Sequence, residues 1–391
     1  MELLLVGGTG VLSGAVTKEA LSRGFSVTMI NRGNRKNRIP QNAIFIKADH
    51  KDYDKIQSCI FGKHYDAVID FLCESEKDTE NSLRFYSSHT NQYFFISSTA
   101  VIDTRVGGLL SENSPKPLPI WEYSVNKWES EKKIVELSKE LKTVYTIVRP
   151  CVTYDDTRIP YGITPKYGYH WTMLERAKKG KPIITWNNGR NCCNMTRVED
   201  FAKGVVGLIG NTRAYNEAIN VCGVETPSFS MVLSCLEKFT GITIPTIDIP
   251  SSFFAKHLPE RSGEILGGRS IDACHSNEKL LKIVPDLQFD YLLNSGLKKT
   301  IDAYINNSYQ KGIDWGFDGD MDRVISKWCK KNGLKKESYN IGFIDYLGNA
   351  TDLDKREYLR HYRLESFPYQ QLFYLKRIVS FIKRRIVHGV K

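Results

Sequence analysis

The chain has 391 residues, 41% of them hydrophobic and 25% charged, a composition of globular proteins that leaves room for two or three domains. No apolar run reaches the ~18 residues of a membrane span, and the first six residues lack the basic start of a signal peptide, so a cytoplasmic location is expected. The formal charge is +11, but residues 311–391 hold 17 Lys and Arg against 10 Asp and Glu, which makes the excess largely a property of one end.

Leu3 to Val6 is a short apolar run suited to a strand buried on both faces. Gly7, Gly8 and Gly10 follow at once, and Val11 to Leu21 carry a helical pattern. A strand, a glycine turn and a helix in this order form the setting of a dinucleotide-binding turn. Its glycines let backbone approach a pyrophosphate, and the N–H groups at the helix start receive the charge. Ser13 stands where a third glycine would pack helix against strand, and it is small enough to keep that packing.

Ser26 to Asn31 reads as the second strand. Its end is where an acidic residue would select NAD through the ribose 2′-hydroxyl. Here stand Asn31 and Arg32, with Arg35, Lys36 and Arg38 behind them. Guanidinium groups can hold a 2′-phosphate, so the reading leans towards NADP(H) over NAD(H). Further strands are expected at Ala43–Ala48, Ala67–Leu72, Gln92–Ile96 and Val144–Val148. Helical patterns separate them at Tyr53–Phe61, Lys77–Ser88 and Asn126–Leu141. This alternation predicts an α/β fold, a Rossmann-type doubly wound parallel sheet with ligands beyond the carboxyl ends of its strands.

Tyr123 and Lys127 stand four apart in the helix after the fifth strand, one above the other on a face. An adjacent ammonium favours the phenolate of a tyrosine, which suits proton transfer at a carbinol during hydride transfer.

At this point the chain resembles the extended short-chain dehydrogenase/reductases, the superfamily of nucleotide-sugar epimerases and dehydratases. The matching pieces are Gly7-Gly8-Thr9-Gly10, Asp49, Ile96-Ser97-Ser98-Thr99, Tyr123-x-x-x-Lys127, Val148-Arg149-Pro150, Arg197-Val198-Glu199-Asp200-Phe201-Ala202 and Ala218-Ile219-Asn220-Val221. They run in family order over about residues 1–305.

The resemblance implies that Ser98, or its neighbour Thr99, bonds the reacting hydroxyl, that Tyr123 is the acid–base and that Lys127 binds the nicotinamide ribose. It implies a cofactor surface of Gly7, Gly8, Thr9, Gly10, Val11, Leu12, Asn31, Arg32, Arg35, Asp49, His50, Phe71, Leu72, Tyr123, Lys127, Pro150 and Val152. For a nucleotide diphosphate it offers Lys166 and Tyr167 in the aromatic and basic strip Tyr161–Tyr169, with Arg190 and Arg261. The 4,6-dehydratases of the family place Asp-Glu after the catalytic hydroxyl, whereas Thr99-Ala100 stand here, so the resemblance implies oxidation and reduction at one carbon.

The expected division is a dinucleotide-binding domain over 1–150 with a returning segment near 191–223, a substrate-binding domain from 151–190 and 224–305, and an extension over 306–391. In the extension, Asp314 to Asp322 is acidic with the spacing of a calcium loop, but no glutamate closes it. The nine cysteines include no Cys-x-x-Cys pair. No metal is therefore expected.

From Leu372 on, apolar residues recur at Leu375, Ile378, Val379, Ile382, Ile386 and Val390, with six cations among them. Such a basic amphipathic helix suits either peripheral contact of residues 371–391 with the inner face of a membrane or packing on the enzyme body. The resulting expectation is an NAD(P)-dependent nucleotide-sugar epimerase, C4 favoured, working in polysaccharide biosynthesis as a homodimer. The alternatives are an NADPH-dependent nucleotide-4-ketosugar reductase and a non-catalytic relative that senses dinucleotide or binds RNA. The paired Tyr123 and Lys127 count against RNA, and DNA is not expected.

Overall fold

A computed structural model describes residues 1–116, 120–307, 312–344 and 350–363. The terminal segment 371–391, with its expected amphipathic helix, lies outside the described residues. No described helix is long and apolar enough to cross a membrane.

The chain opens with β1 (Glu2–Val6), α1 (Val11–Ser22), β2 (Ser26–Asn31), β3 (Ile44–Lys47), α2 (Tyr53–Ile60) and β4 (Ala67–Asp70). Then come α3 (Glu76–Tyr86), β5 (Gln92–Ile96), α4 (Glu122–Leu141), β6 (Val144–Pro150), β7 (Val152–Tyr154) and α5 (Thr172–Lys178). They are followed by β8 (Ile183–Thr185), β9 (Met195–Arg197), α6 (Val198–Gly207), β10 (Glu217–Val221), α7 (Phe229–Thr240), β11 (Thr246–Asp248) and α8 (Ser251–His257). A short α9 (Ser262–Glu264) runs into a π-turn at Ile265–Arg269, and α10 (Glu278–Ile283), α11 (Leu293–Asn306), α12 (Trp315–Asn332) and α13 (Asp352–Arg363) complete the described elements.

Two compact units emerge. Of the described residues, the first holds 1–116, 120–160, 191–232 and 271–300; the second holds 161–190, 233–270, 301–307, 312–344 and 350–363. Residues 224–232 and 271–300, read from sequence as substrate domain, thus fall in the first unit. The described part of the extension is integral to the second.

The first unit is a seven-stranded parallel sheet in the order β10-β6-β5-β4-β1-β2-β3. Strand β1 explains itself by alternation. Leu3 and Leu5 meet Val16 and Ala20 of α1 and Phe201 and Val205 of α6 in one core. Leu4 and Val6 face the other way, with Ile56 of α2, Leu83 of α3, and Ile134 and Leu137 of α4. Both faces are covered, so the strand reads as an unbroken apolar run. Each such side chain contributes ~1.5–3 kcal/mol by burial.

In the second unit β8 pairs with β11 in parallel. Ile184, Trp186, Ile247, Phe254 and Ile265 share a core with Phe317, Met321, Val324 and Ile325 of α12. The acidic run from Asp314 is no loop. Asp314 caps α12 by accepting from the Phe317 N–H at 3.2 Å, and the following carboxylates lie along the helix. Asp318 and Asp322 are fully buried and both meet Arg176 and Lys181. Asp322 also accepts from the Tyr358 hydroxyl of α13 at 2.8 Å. Helix α13 comes close because Gly319 has no side chain: a Cβ there would lie 2.5 Å from the Tyr358 carbonyl oxygen. No group of His, Cys, Asp and Glu side chains fit for a metal occurs among the described residues.

Candidate functional site

The glycine turn between β1 and α1 has Gly7 at φ +120° and Gly8 at φ +89°, backbone that side-chain-bearing residues rarely adopt. A Cβ on Gly8 would strike the Met29 methyl at 2.5 Å, and one on Gly7 would rest against Phe71 and Leu72 at 3.5 and 3.7 Å. Ser13 does more than fit, because its Oγ accepts from the Gly10 N–H at 2.8 Å. Beyond that bond, the first-turn N–H groups of α1, from Val11 and Leu12, have no partner within a helix and present the positive end of its dipole.

Asn31, at the end of β2, spends its amide on the turn itself. Its Nδ2 donates to the Gly7 carbonyl at 3.0 Å and its Oδ1 accepts from the Gly33 N–H at 2.9 Å. Its side chain therefore shapes the loop. Arg32 is exposed, and Arg35 reaches back to the Thr9 carbonyl at 3.4 Å. Asp49 is exposed after β3, with His50 at 3.4 Å. Pro150 ends β6 and Val152 starts β7. The parallel strand order brings these cofactor candidates to the carboxyl edge of one sheet.

At the same edge Tyr123 is the second residue of α4, exposed, with its ring 5.1 Å from that of Trp121. One turn deeper, Lys127 is buried, and its Nζ donates to the Ile96 and Cys73 carbonyls, each at 2.9 Å. An ammonium has three protons, so one remains for a ribose hydroxyl. Burial pushes the Lys127 ammonium below its ordinary range. Its Nζ also lies 4.8 Å from the Phe95 ring centre. Ser98 is half-buried, and its Oγ accepts from the Ala100 N–H at 3.1 Å, opening a short 3₁₀ turn that contains buried Thr99.

Sequence reasoning did not give roles to the layer beneath. Glu131, one turn beyond Lys127 on the same helix, accepts from Ser97 Oγ at 2.5 Å. It also takes a bidentate pair from Arg149, Nε at 2.9 Å and Nη2 at 2.6 Å. Arg149 donates in addition to the Glu112 carbonyl at 3.2 Å. The pair is buried, with side-chain exposures of 3% and 2%, so the residue just before Ser98 hangs from a fixed carboxylate. The signal was available, because Tyr123, Lys127 and Glu131 repeat every four residues.

The expected diphosphate residues lie in the second unit. Lys166 Nζ stands 3.5 Å from Asp314 and 4.7 Å from the Tyr169 ring centre, and Tyr167 follows it. Arg261 is tied down, donating to the Thr164 carbonyl at 3.0 Å and to Glu264 at 3.2 Å. Arg190 is exposed after the turn Asn187–Gly189.

With this geometry in view, comparisons place the chain. A model of the NAD dependent epimerase/dehydratase family matches residues 3–222. The chloroplast stem-loop binding protein of 41 kDa b from Arabidopsis thaliana is 24% identical over 260 residues, 63% of this chain and 65% of that protein. The uncharacterized UDP-glucose epimerase YtcB of Bacillus subtilis is 24% identical over 153 residues, 39% of this chain and 46% of that one. The chain thus spans less than two thirds of either relative.

Among solved structures, UDP-glucose 4-epimerase of Thermotoga maritima with UDP-glucose has a TM-score of 0.63 at 16% identity, covering 78% of this chain and 99% of its own. UDP-glucuronic acid 4-epimerase of Bacillus cereus with NAD has a TM-score of 0.60 at 17% identity, covering 79% and 100%. Those likenesses establish a shared fold. From the match over more than half its length, the chain belongs to the NAD dependent epimerase/dehydratase family.

Proposed function

We propose that the chain is an NAD(P)-dependent nucleotide-sugar epimerase that works by reversible hydride transfer at one sugar carbon, C4 by family habit. The observation that carries this reading is Lys127, held by two backbone carbonyls at the strand ends and set one turn below Tyr123. The turn fits the cofactor: Gly7 and Gly8 hold positive φ, and the start of α1 offers N–H groups that suit a phosphate. A bound nicotinamide dinucleotide would accept hydride from the sugar and return it.

Val11 and Leu12 would hold the pyrophosphate with their N–H groups, and Lys127 would fix the ribose with its remaining proton. Ser98 would bond the reacting hydroxyl. Tyr123 would take that hydroxyl's proton as hydride leaves and return it after the ketosugar has turned over. Its place in the first turn of α4 puts a developing negative charge at the positive end of the helix dipole. Tyr123→Phe is expected to lower turnover ~100- to 10,000-fold while dinucleotide binding stays within a few-fold. A variant keeping more than about a tenth of the wild-type rate overturns the role.

A second reading, an NADPH-dependent 4-ketoreductase, is supported by the cationic loop of Arg32 and Arg35 beside an Asn31 whose amide is already engaged. Arg32→Ala should then weaken NADP(H) far more than NAD(H). Equal losses, or a wild-type preference for NAD, overturn that selection. The plant relative's name supports a third reading, RNA binding. Mass spectrometry of the purified protein separates the three: tightly held oxidised cofactor, exchangeable NADPH, or RNA without dinucleotide. UDP-, dTDP-, GDP- and CDP-sugars followed by NMR would identify the substrate.

A further inference from the structure

Two cysteines stand side by side at the carboxyl ends of β6 and β10. These strands pair in parallel up to Pro150 beside Val221, and the next residue of each is a cysteine, Cys151 and Cys222. Neighbouring parallel strands run about 4.8 Å apart, and residues in register project to the same face. That separation lies inside the range of about 4.4–6.8 Å that a disulfide spans. Both are free thiols, Cys151 partly exposed and Cys222 buried, and each side chain acts on the other's titration.

The surroundings give the two sulfurs different tasks. Cys151 Sγ lies 3.0 Å from Thr196 Oγ1. That oxygen also accepts from the Gly223 N–H at 2.6 Å, which anchors it beside Cys151. Burial pushes the Cys151 thiol up, but hydrogen bonds from Cys222, Thr196 and the Gly223 backbone outweigh it and hold the thiol below its ordinary range. Burial, together with the bond to Cys151, pushes Cys222 well above that range. Cys151 thus carries the lowered thiol in a partly exposed residue, and Cys222 the raised one in a buried residue. This is the division between an attacking cysteine and a resolving one.

We propose that Cys151 and Cys222 form a peroxide-sensitive dithiol, oxidised reversibly to a disulfide across the β6–β10 seam. The Cys151 thiolate attacks hydrogen peroxide, the O–O bond breaks, and hydroxide leaves to become water, giving a sulfenic acid. Cys222 sulfur then attacks the Cys151 sulfur; the S–O bond breaks, and the second oxygen leaves as water with the Cys222 proton. Two thiols are oxidised and one peroxide is reduced to two waters. A dithiol such as dithiothreitol reverses the step by exchange. Cys151 lies between Pro150 and Val152, so the bond would form within the strip proposed to face the cofactor.

The test treats the full-length protein under native conditions with one equivalent of hydrogen peroxide and reads thiol content, intact mass and non-reducing peptide maps. The expected result is loss of two thiols and about 2 Da, a linked Cys151–Cys222 peptide, and full recovery with dithiothreitol. Cys222→Ser should stop at a Cys151 sulfenic acid that dimedone traps. Dimedone labelling of Cys151 in the wild type during the reaction gives the same information without a variant. Retention of both thiols, or a linkage confined to other cysteines such as Cys192 and Cys274, overturns the proposal. None of these readouts needs bound dinucleotide, so they stand apart from the proposed activity.

Discussion

The two units bury charge to different ends. In the first, Glu131 and Arg149 meet beneath the strand ends, and Ser97 bonds the same carboxylate, so the pair fixes the backbone that carries Ser98. In the second, Arg176 and Lys181 face Asp318 and Asp322, and the further partners of Asp322 are Tyr358 and the Gly342 N–H. Here the charges join the 161–190 segment to α12 and α13. A buried ion pair gains little over a well-packed apolar replacement but costs much when one member is lost. What a buried pair is for must therefore be read from what else it holds.

Removing Asp322 should have the largest effect on stability. Asp322→Ala leaves two buried cations to Asp318 alone and takes the acceptor from the Tyr358 hydroxyl, and ~3–5 kcal/mol of stability should go, read by denaturant unfolding followed through tryptophan fluorescence. A loss under about 1 kcal/mol would show that other groups take over the pairing. Glu131→Gln keeps an acceptor for Ser97 but takes the carboxylate from buried Arg149, so it costs ~3 kcal/mol, the low end of that range. It should lower turnover as well, whereas Asp322→Asn should leave the turnover of the folded fraction unchanged. Equal effects on turnover would erase the distinction between the two clusters.

Gly8→Ala is a smaller lesion, ~1 kcal/mol from the backbone alone. It should also weaken dinucleotide binding, measured by titration, because Met29 must move. The smallest effect concerns pH. Asp320, 3.1 Å from His361 Nδ1, raises the imidazole above its ordinary value, against the opposing effect of burial. Stability from this contact is therefore full below the unfolded pKa, near 6.5, and is lost as pH rises through the higher folded value. His361→Gln should flatten that decline, worth about 0.5 kcal/mol.

Much of the first unit was legible because its strands are buried on both faces and announce themselves as apolar runs, and because Tyr123 and Lys127 share a helix face. The carbonyls that hold Lys127 were not legible, since backbone partners leave no mark in side-chain spacing. In the second unit the acids between Asp314 and Asp322 have the spacing of a calcium loop without its closing glutamate. The steps Asp314, Asp318 and Asp322, four apart, also mark one face of a helix. What decided between them was the pair of cations at 176 and 181, some 140 residues away in sequence.

That distance bears on engineering. Without α12, Arg176 and Lys181 would lose both carboxylates that neutralise them in a dry interior. Helix and cations depend on each other, so neither can be trimmed from this chain without revising the other.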